Sequence, residues 1–203
     1  APVTDARRTL TPQLRGLDED TVLVLVDLGG ERNRLGGSAL AQAYGQIGNT
    51  APDLDEPAQL AALFDVVQQL NQAGVLLAYH DRSDGGLLAS VCEMMFASHV
   101  GISIHLRENE DVLATMFTEE LGAVLQIRRA DIERVAETME AAGLGDACRV
   151  IGAPNRESCL YVTRGTAQVY WEGGTTLLRA WAETSYQIQR LRDNPECAQQ
   201  EFD

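Results

Sequence analysis

The sequence predicts a single α+β domain of layered α/β/α type, built on a mixed sheet and carrying a helical extension at its C-terminus. Three observations lead there. Apolar, β-branched runs of strand length, such as Thr21–Leu28, recur along the chain. Segments with helical spacing of apolar residues separate them, but not in a strict strand–helix–strand rhythm. Late in the chain, Ser158–Val162 and Ala167–Trp171 flank Arg164-Gly165 as a hairpin, which places antiparallel strands in the sheet.

Taken in order, residues 1–20 show no periodicity and read as a connector from a preceding domain. Thr21–Leu28 is continuously apolar and reads as a strand buried on both faces. Leu35-Gly36-Gly37-Ser38 follows a polar loop, with Ser38 placed to cap a helix that runs to Tyr44 and ends at Gly45. Gly36-Gly37 allows close approach of a ligand or a neighbouring strand, and turn geometry explains it equally well. Asp55-Glu56-Pro57 opens a helix with Leu60, Leu63, Phe64, Val67 and Leu70 on one face, closed by Gly74. Val75–Tyr79 is a strand, and Leu87–Phe96 a helix.

Gly101–Leu106 is a strand, Glu108–Glu120 a polar helical segment, and Leu121–Ile127 a further strand. Asp131 caps a helix with Ile132, Val135, Ala136 and Met139, followed by a strand at Cys148–Gly152. After the hairpin, Leu177, Trp181, Ile188 and Leu191 share a helical face that Pro195 stops; Glu196–Asp203 reads as linker. The expected organisation is a connector at 1–20, the main domain at 21–172 and a helical extension and linker at 173–203. The expected core includes Leu23, Val24, Leu25, Leu77, Leu88, Val91, Ile104, Val124 and Leu125.

Composition bounds the function. At 203 residues a chain buries roughly 70% of its unfolded surface and needs no staple. Hydrophobic content of 45% and charged content of 23% are ordinary for a soluble globular protein. A net charge of -14 argues against a nucleic-acid or anionic-membrane partner, while leaving room for a local phosphate site. No apolar run approaches the ~20 residues of a membrane span, and the first residues do not read as a secretory signal. The four cysteines lack CxxC spacing, and the three histidines, His80, His99 and His105, lack metal-ligand spacing. Cys92 and Cys159 read as buried small hydrophobes.

The chemistry concentrates in Ala78-Tyr79-His80-Asp81-Arg82-Ser83-Asp84-Gly85-Gly86-Leu87, a strand, polar turn and helix start. Polar groups between a strand's carboxyl end and a helix are a common ligand position. Asp84 is placed as an N-cap, and a helix start at Gly85-Gly86, free of side chains, suits an anion such as phosphate. Asp81 and Ser83 alternate onto one side of an extended turn. A phosphate beside Asp81 requires an intervening cation, most simply Mg2+; Ser83 is then placed to donate to a phosphate oxygen. The same residues also read as a plain turn, with Asp84 only a cap and Asp81 a solvated charge. No Walker A lysine or GxGxxG accompanies them.

Leu35-Gly36-Gly37-Ser38, His80-Asp81-Arg82-Ser83-Asp84-Gly85-Gly86-Leu87 and Phe117-Thr118-Glu119-Glu120-Leu121-Gly122-Ala123-Val124-Leu125-Gln126 occur in this order. Together they resemble the C-terminal domain of aminoimidazole ribonucleotide synthetase-like proteins. Within that family the likeness is to the large, single-chain phosphoribosylformylglycinamidine synthases. Thr176–Pro195 resembles the segment before their glutaminase domain. Relatives of selenophosphate and thiamine-phosphate kinase type share the general fold without that segment.

The resemblance implies a cytoplasmic enzyme of purine biosynthesis. Such an enzyme uses ATP to activate the formamide oxygen of formylglycinamide ribonucleotide, and ammonia from glutamine then replaces that oxygen. This chain is similar to the second of its two synthetase-like C-terminal domains, which holds an auxiliary nucleotide (ATP or ADP) with Mg2+. By position in the motif, Asp81 matches a Mg2+ ligand and Ser83 a nucleotide contact; no role beyond shaping the turn is implied for Asp84, Gly85 and Gly86. The implied partners are the synthetase-like N-terminal domains and the glutaminase domain of the same parent chain. Nothing here matches a glutaminase cysteine, histidine and glutamate, so an excised domain without catalytic residues is expected. The alternative is a non-catalytic structural or interaction module that keeps the fold without the ligand.

Overall fold

Thr21–Asp27 (β1) is the middle of the molecule because every side chain from Val22 to Val26 is apolar and branched, and each is at most 2% exposed. Leu23 and Leu25 enter one core; Val22, Val24 and Val26 enter another on the opposite face. The computed structural model describes residues 5–15, 18–48 and 50–203. The other strands are β2 (Leu76–Asp81), β3 (Gly101–Leu106), β4 (Gly122–Arg128), β5 (Cys148–Asn155), β6 (Cys159–Arg164) and β7 (Ala167–Gly173). They form one seven-stranded sheet in the order β2-β4-β1-β5-β3-β6-β7. Every neighbouring pair is antiparallel except β3–β6, so the sheet is mixed.

The helices are α1 (Ala39–Ala43), α2 (Pro57–Gln72), α3 (Gly86–Ser98), α4 (Val112–Phe117), α5 (Ile132–Ala141), α6 (Gly174–Arg192) and α7 (Pro195–Phe202). Helices α3 and α4 cover the face that receives Leu23 and Leu25, and α2 and α5 cover the other. This is the expected layered α+β arrangement, a hydrophobic core lying on each side of one sheet.

Several local expectations are corrected. Leu77 and Leu88 are half-buried rather than core. On α2 the buried residues are Leu63, Val66, Val67 and Leu70, while Leu60 and Phe64 stand exposed. Helix formation in 108–120 is confined to Val112–Phe117, because Asp111 caps it through the Ala114 N–H at 2.8 Å and Thr118 returns to extended backbone. Asp131 occupies an N-cap position without accepting a side-chain hydrogen bond.

Pro195 does not end the structure. It occupies the first turn of α7, whose start Asn194 caps by accepting from Glu196 and Cys197. Helix α7 folds back on α6, with Phe202 stacked on Tyr186 at 4.1 Å between ring centres. The expected helical face of α6 is largely outside the core: Trp181, Ile188 and Leu191 are exposed, and Tyr186 is the buried residue.

The connector expected over 1–20 falls partly on 1–4, 16 and 17, outside the described residues. Within the rest, Leu14 is buried, and Thr11 O accepts the Tyr79 N–H at 3.0 Å, so this segment lies along the free edge of β2.

Candidate functional site

Strand pairing brings the carboxyl ends of β1 and β2 to one end of the sheet. Both run antiparallel to β4, with Asp27 opposite Gly122 and Asp81 opposite Ala123. The strand expected to stop at Tyr79 continues through His80, so Asp81 is its last residue. The Arg82 N–H still donates to Gly122 O at 2.9 Å. Exposure alternates beyond it, as extended backbone requires. Asp81 is exposed, Arg82 buried and Ser83 exposed.

Arg82 is the residue that sequence reasoning missed. Its side chain is 1% exposed and crosses the start of β4 to reach β1. Nε donates to Glu120 O at 2.6 Å, and Nη2 donates to Leu121 O at 3.3 Å and to the Asp27 carboxylate. Burial pushes the Asp27 carboxyl up, but the Arg82 guanidinium and the N–H groups of Glu31 and Gly29 outweigh it. The net result holds Asp27 below the usual carboxylate value. A cavity of about 210 Å³ adjoins this pair. Its lining includes Glu110 and Arg149, paired at 2.6 Å, and Thr115, whose buried hydroxyl has no partner among the described residues.

Asp81 contrasts with its neighbour. Its carboxylate is 68% exposed and makes no hydrogen bond among the described residues; His80 Nδ1 lies 3.8 Å away. The His80 ring is held from both sides, Nδ1 at 2.7 Å from Asp81 O and Nε2 at 2.7 Å from Glu93 Oε2. Glu93 also accepts from Trp181 Nε1 of α6 at 3.3 Å.

The helix start differs from expectation. Asp84 does not cap α3. Gly85 and Gly86 enter it in succession with φ of 83° and 67°, so the cap position falls on Gly85 and Asp84 lies one residue too early. Nor is the helix start open to an anion. The Gly85 N–H donates to Glu119 Oε1 at 2.8 Å. A Cβ on Gly86 would stand 2.6 Å from Thr118 O, so the 117–118 backbone already covers it.

The other glycine stretch, Leu35-Gly36-Gly37-Ser38, lies against the same segment. Ser38 caps α1 as expected, its Oγ accepting from Ala41 at 3.2 Å. Gly36 is a close approach to backbone rather than to a ligand: its N–H donates to Thr50 O at 2.7 Å, and a Cβ would lie 2.5 Å from that carbonyl. Arg34, just before the turn, is forked onto Glu120, with Nε–Oε1 2.6 Å and Nη2–Oε2 2.8 Å. Glu120 is fully buried, a second internal charge that the sequence did not mark as paired.

The arrangement offers an exposed carboxylate at the last residue of β2 and an exposed hydroxyl two residues beyond it. Carboxylate and hydroxyl oxygens are the kind of ligand a hard cation takes. Among the described residues no group of three or more His, Cys, Asp or Glu could hold a metal by itself. Further ligands at Asp81 would have to come from the bound group, from solvent or from another chain or domain. Two of the four thiols are poor nucleophiles. Cys92 and Cys148 are free thiols that burial pushes up to about 12 and about 11, far from thiolate at neutral pH. Among the described residues no helix is long and apolar enough to cross a membrane.

Comparison with known proteins agrees with this architecture. The Thermotoga maritima protein described as PurL complexed with ATP superposes with a TM-score of 0.65 at 14% identity, over 85% of this chain and 27% of that one. PurLQS from Thermotoga maritima gives 0.67 at 13% identity, over 86% and 28%. The Escherichia coli hydrogenase maturation protein HypE gives 0.55 at 19%, over 79% and 51%. At such identities these likenesses show the fold. The chain spans little more than a quarter of the two PurL chains. The family model of the AIR synthase related protein, C-terminal domain, matches residues 18–158, and the chain belongs to that family.

Proposed function

We propose that this chain is one domain of a phosphoribosylformylglycinamidine synthase of the large single-chain type. In this reading it is the second synthetase-like C-terminal domain, spanning 21–172, and 173–203 leads toward a glutaminase domain. It forms one wall of an auxiliary nucleotide–Mg2+ site in a cytoplasmic enzyme of purine biosynthesis and contributes no catalytic residue. The parent uses ATP and glutamine-derived ammonia to turn the formamide of formylglycinamide ribonucleotide into an amidine. Family membership and the likeness to a PurL complexed with ATP support the reading.

The observation that carries it is the end of β2. Asp81 presents an exposed carboxylate that makes no hydrogen bond among the described residues, Ser83 is exposed two residues later, and Arg82 between them is fixed in the interior. Asp81 would ligate Mg2+, whose charge would hold a phosphate there, and Ser83 would donate to a phosphate oxygen. The remaining ligands would lie on neighbouring domains of the parent. The test is nucleotide bound per chain in the purified parent. Asp81→Asn keeps the size and removes the charge, so retention should fall and added Mg2+ should not restore it. Ser83→Ala should weaken retention less, since a neutral hydrogen bond contributes about 0.5–1.5 kcal/mol.

One observation favours the alternative, a module that keeps the fold without the ligand. The Gly85 N–H and the start of α3 are already engaged by 117–119. Unchanged nucleotide content in Asp81→Asn would sink the site assignment and leave the family standing.

A further inference from the structure

We infer that Glu119 is a positioning residue that fixes the two glycine turns to one another and so sets the shape of the wall carrying Asp81 and Ser83. The consequence for ligand binding rests on the nucleotide reading above; the geometry does not. A single carboxylate oxygen, Glu119 Oε1, accepts from two backbone N–H groups at 2.8 Å each. One is Gly85, in the turn that follows Ser83. The other is Ala39, directly after Leu35-Gly36-Gly37-Ser38 and 80 residues from Glu119 in the chain.

The residues on either side of Glu119 join the same two turns. Toward the first glycine stretch, Thr118 Oγ1 donates to Arg34 O at 3.0 Å, and Glu120 accepts the Arg34 fork. Toward the second, Glu120 O accepts from Arg82 Nε, and Thr118 O abuts Gly86. Three consecutive residues thus form a clasp between two loops that share no strand. Thr118 and Glu120 are fully buried and also support the core. Glu119 is half-buried, and its side chain reaches only the two loop amides among the described residues. It can therefore be altered without opening the core.

The acceptor is what the geometry requires, not the charge. Glutamine keeps Oε1 and should hold both amides, whereas alanine releases both. The experiment measures amide-resolved hydrogen exchange at Gly85 and Ala39 in this chain and its variants, together with calorimetric binding of Mg·ADP by the purified parent carrying the same substitutions. In Glu119→Ala both amides should exchange roughly tenfold faster or more, while those of β1 and β4 are unchanged, and Mg·ADP should bind roughly three- to tenfold more weakly. Glu119→Gln should restore both readouts, which a loss of general stability would not. Unchanged exchange at the two amides in Glu119→Ala, or Gln behaving as Ala does, overturns the inference.

If the unaltered parent retains no Mg·ADP, the nucleotide reading fails, and the exchange pattern alone decides the clasp. Should Glu119→Ala fail to fold, Glu119→Asp replaces it. The shorter arm should release at least one of the two amides, and full protection of both would count against the clasp.

Discussion

Arg82 stands between two exposed residues yet reaches deeper into the molecule than either, and its partner Asp27 lies 55 residues earlier. Removing one partner of a buried pair leaves an uncompensated charge, so Arg82→Met should cost about 3–5 kcal/mol in urea denaturation. The pair also sets an acid response. Because the folded Asp27 carboxyl is held below its unfolded value, its contribution is complete above the ordinary carboxylate pKa of about 3.9. It is lost as pH falls through the lower folded value. Asp27→Asn should therefore lower stability at neutral pH and flatten its decline on acidification, which denaturation at a series of pH values would show. An equally steep acid limb in the variant would mean that other carboxylates govern it. The shared exposure of Asp81 and Ser83 was legible from local sequence because alternation is local. The Arg82–Asp27, Arg34–Glu120 and Glu119 contacts were not, since nothing near an arginine in a polar turn tells which distant carboxylate it meets. Asp84 was misread as a cap because two left-handed glycines shift the helix start by one residue.

Among the elements, β1 was the plainest in the sequence: an unbroken apolar run has few alternatives to a doubly buried strand. Leu25, 2% exposed, faces the core beneath α3 and α4. Leu25→Ala should cost about 2–5 kcal/mol, as cavity-forming changes do; a cost near zero in thermal or urea melts would remove β1 from the centre of the fold. Elements at the chain's end were read less well, for a physical reason. Pro195 both ends one helix and begins the next, and sequence inspection weighted only the first role. The α6 stripe looked like a core face, but its partners are the short α7 and a corner of α3, through the Phe96–Trp181 contact at 5.8 Å. Much of it therefore stays exposed. Leu60 and Phe64 show the same limit: helical spacing marks a stripe, while its neighbours decide how much is covered.

At the scale of the whole molecule, the proposed reading gives this chain one wall of a nucleotide site and no part in hydrolysing glutamine. Cys92 and Cys159 are buried, Cys148 is half-buried and Cys197 is exposed, and burial holds Cys92 as a thiol. The isolated chain should release no glutamate from glutamine; release proportional to added chain and abolished by Cys92→Ala would overturn this. The distribution of the core has another consequence. A strand wetted on one face is kept in register by that contrast, because sliding one residue would expose the wrong side chains. β1 lacks the contrast: Val22 to Val26 are hidden on both faces, and a slipped strand would still bury apolar groups above and below. A slip could not keep Asp27 against Arg82 at the rim. The charge pair thus serves as an alignment pin, fixing where the middle strand stops when hydrophobicity leaves that open.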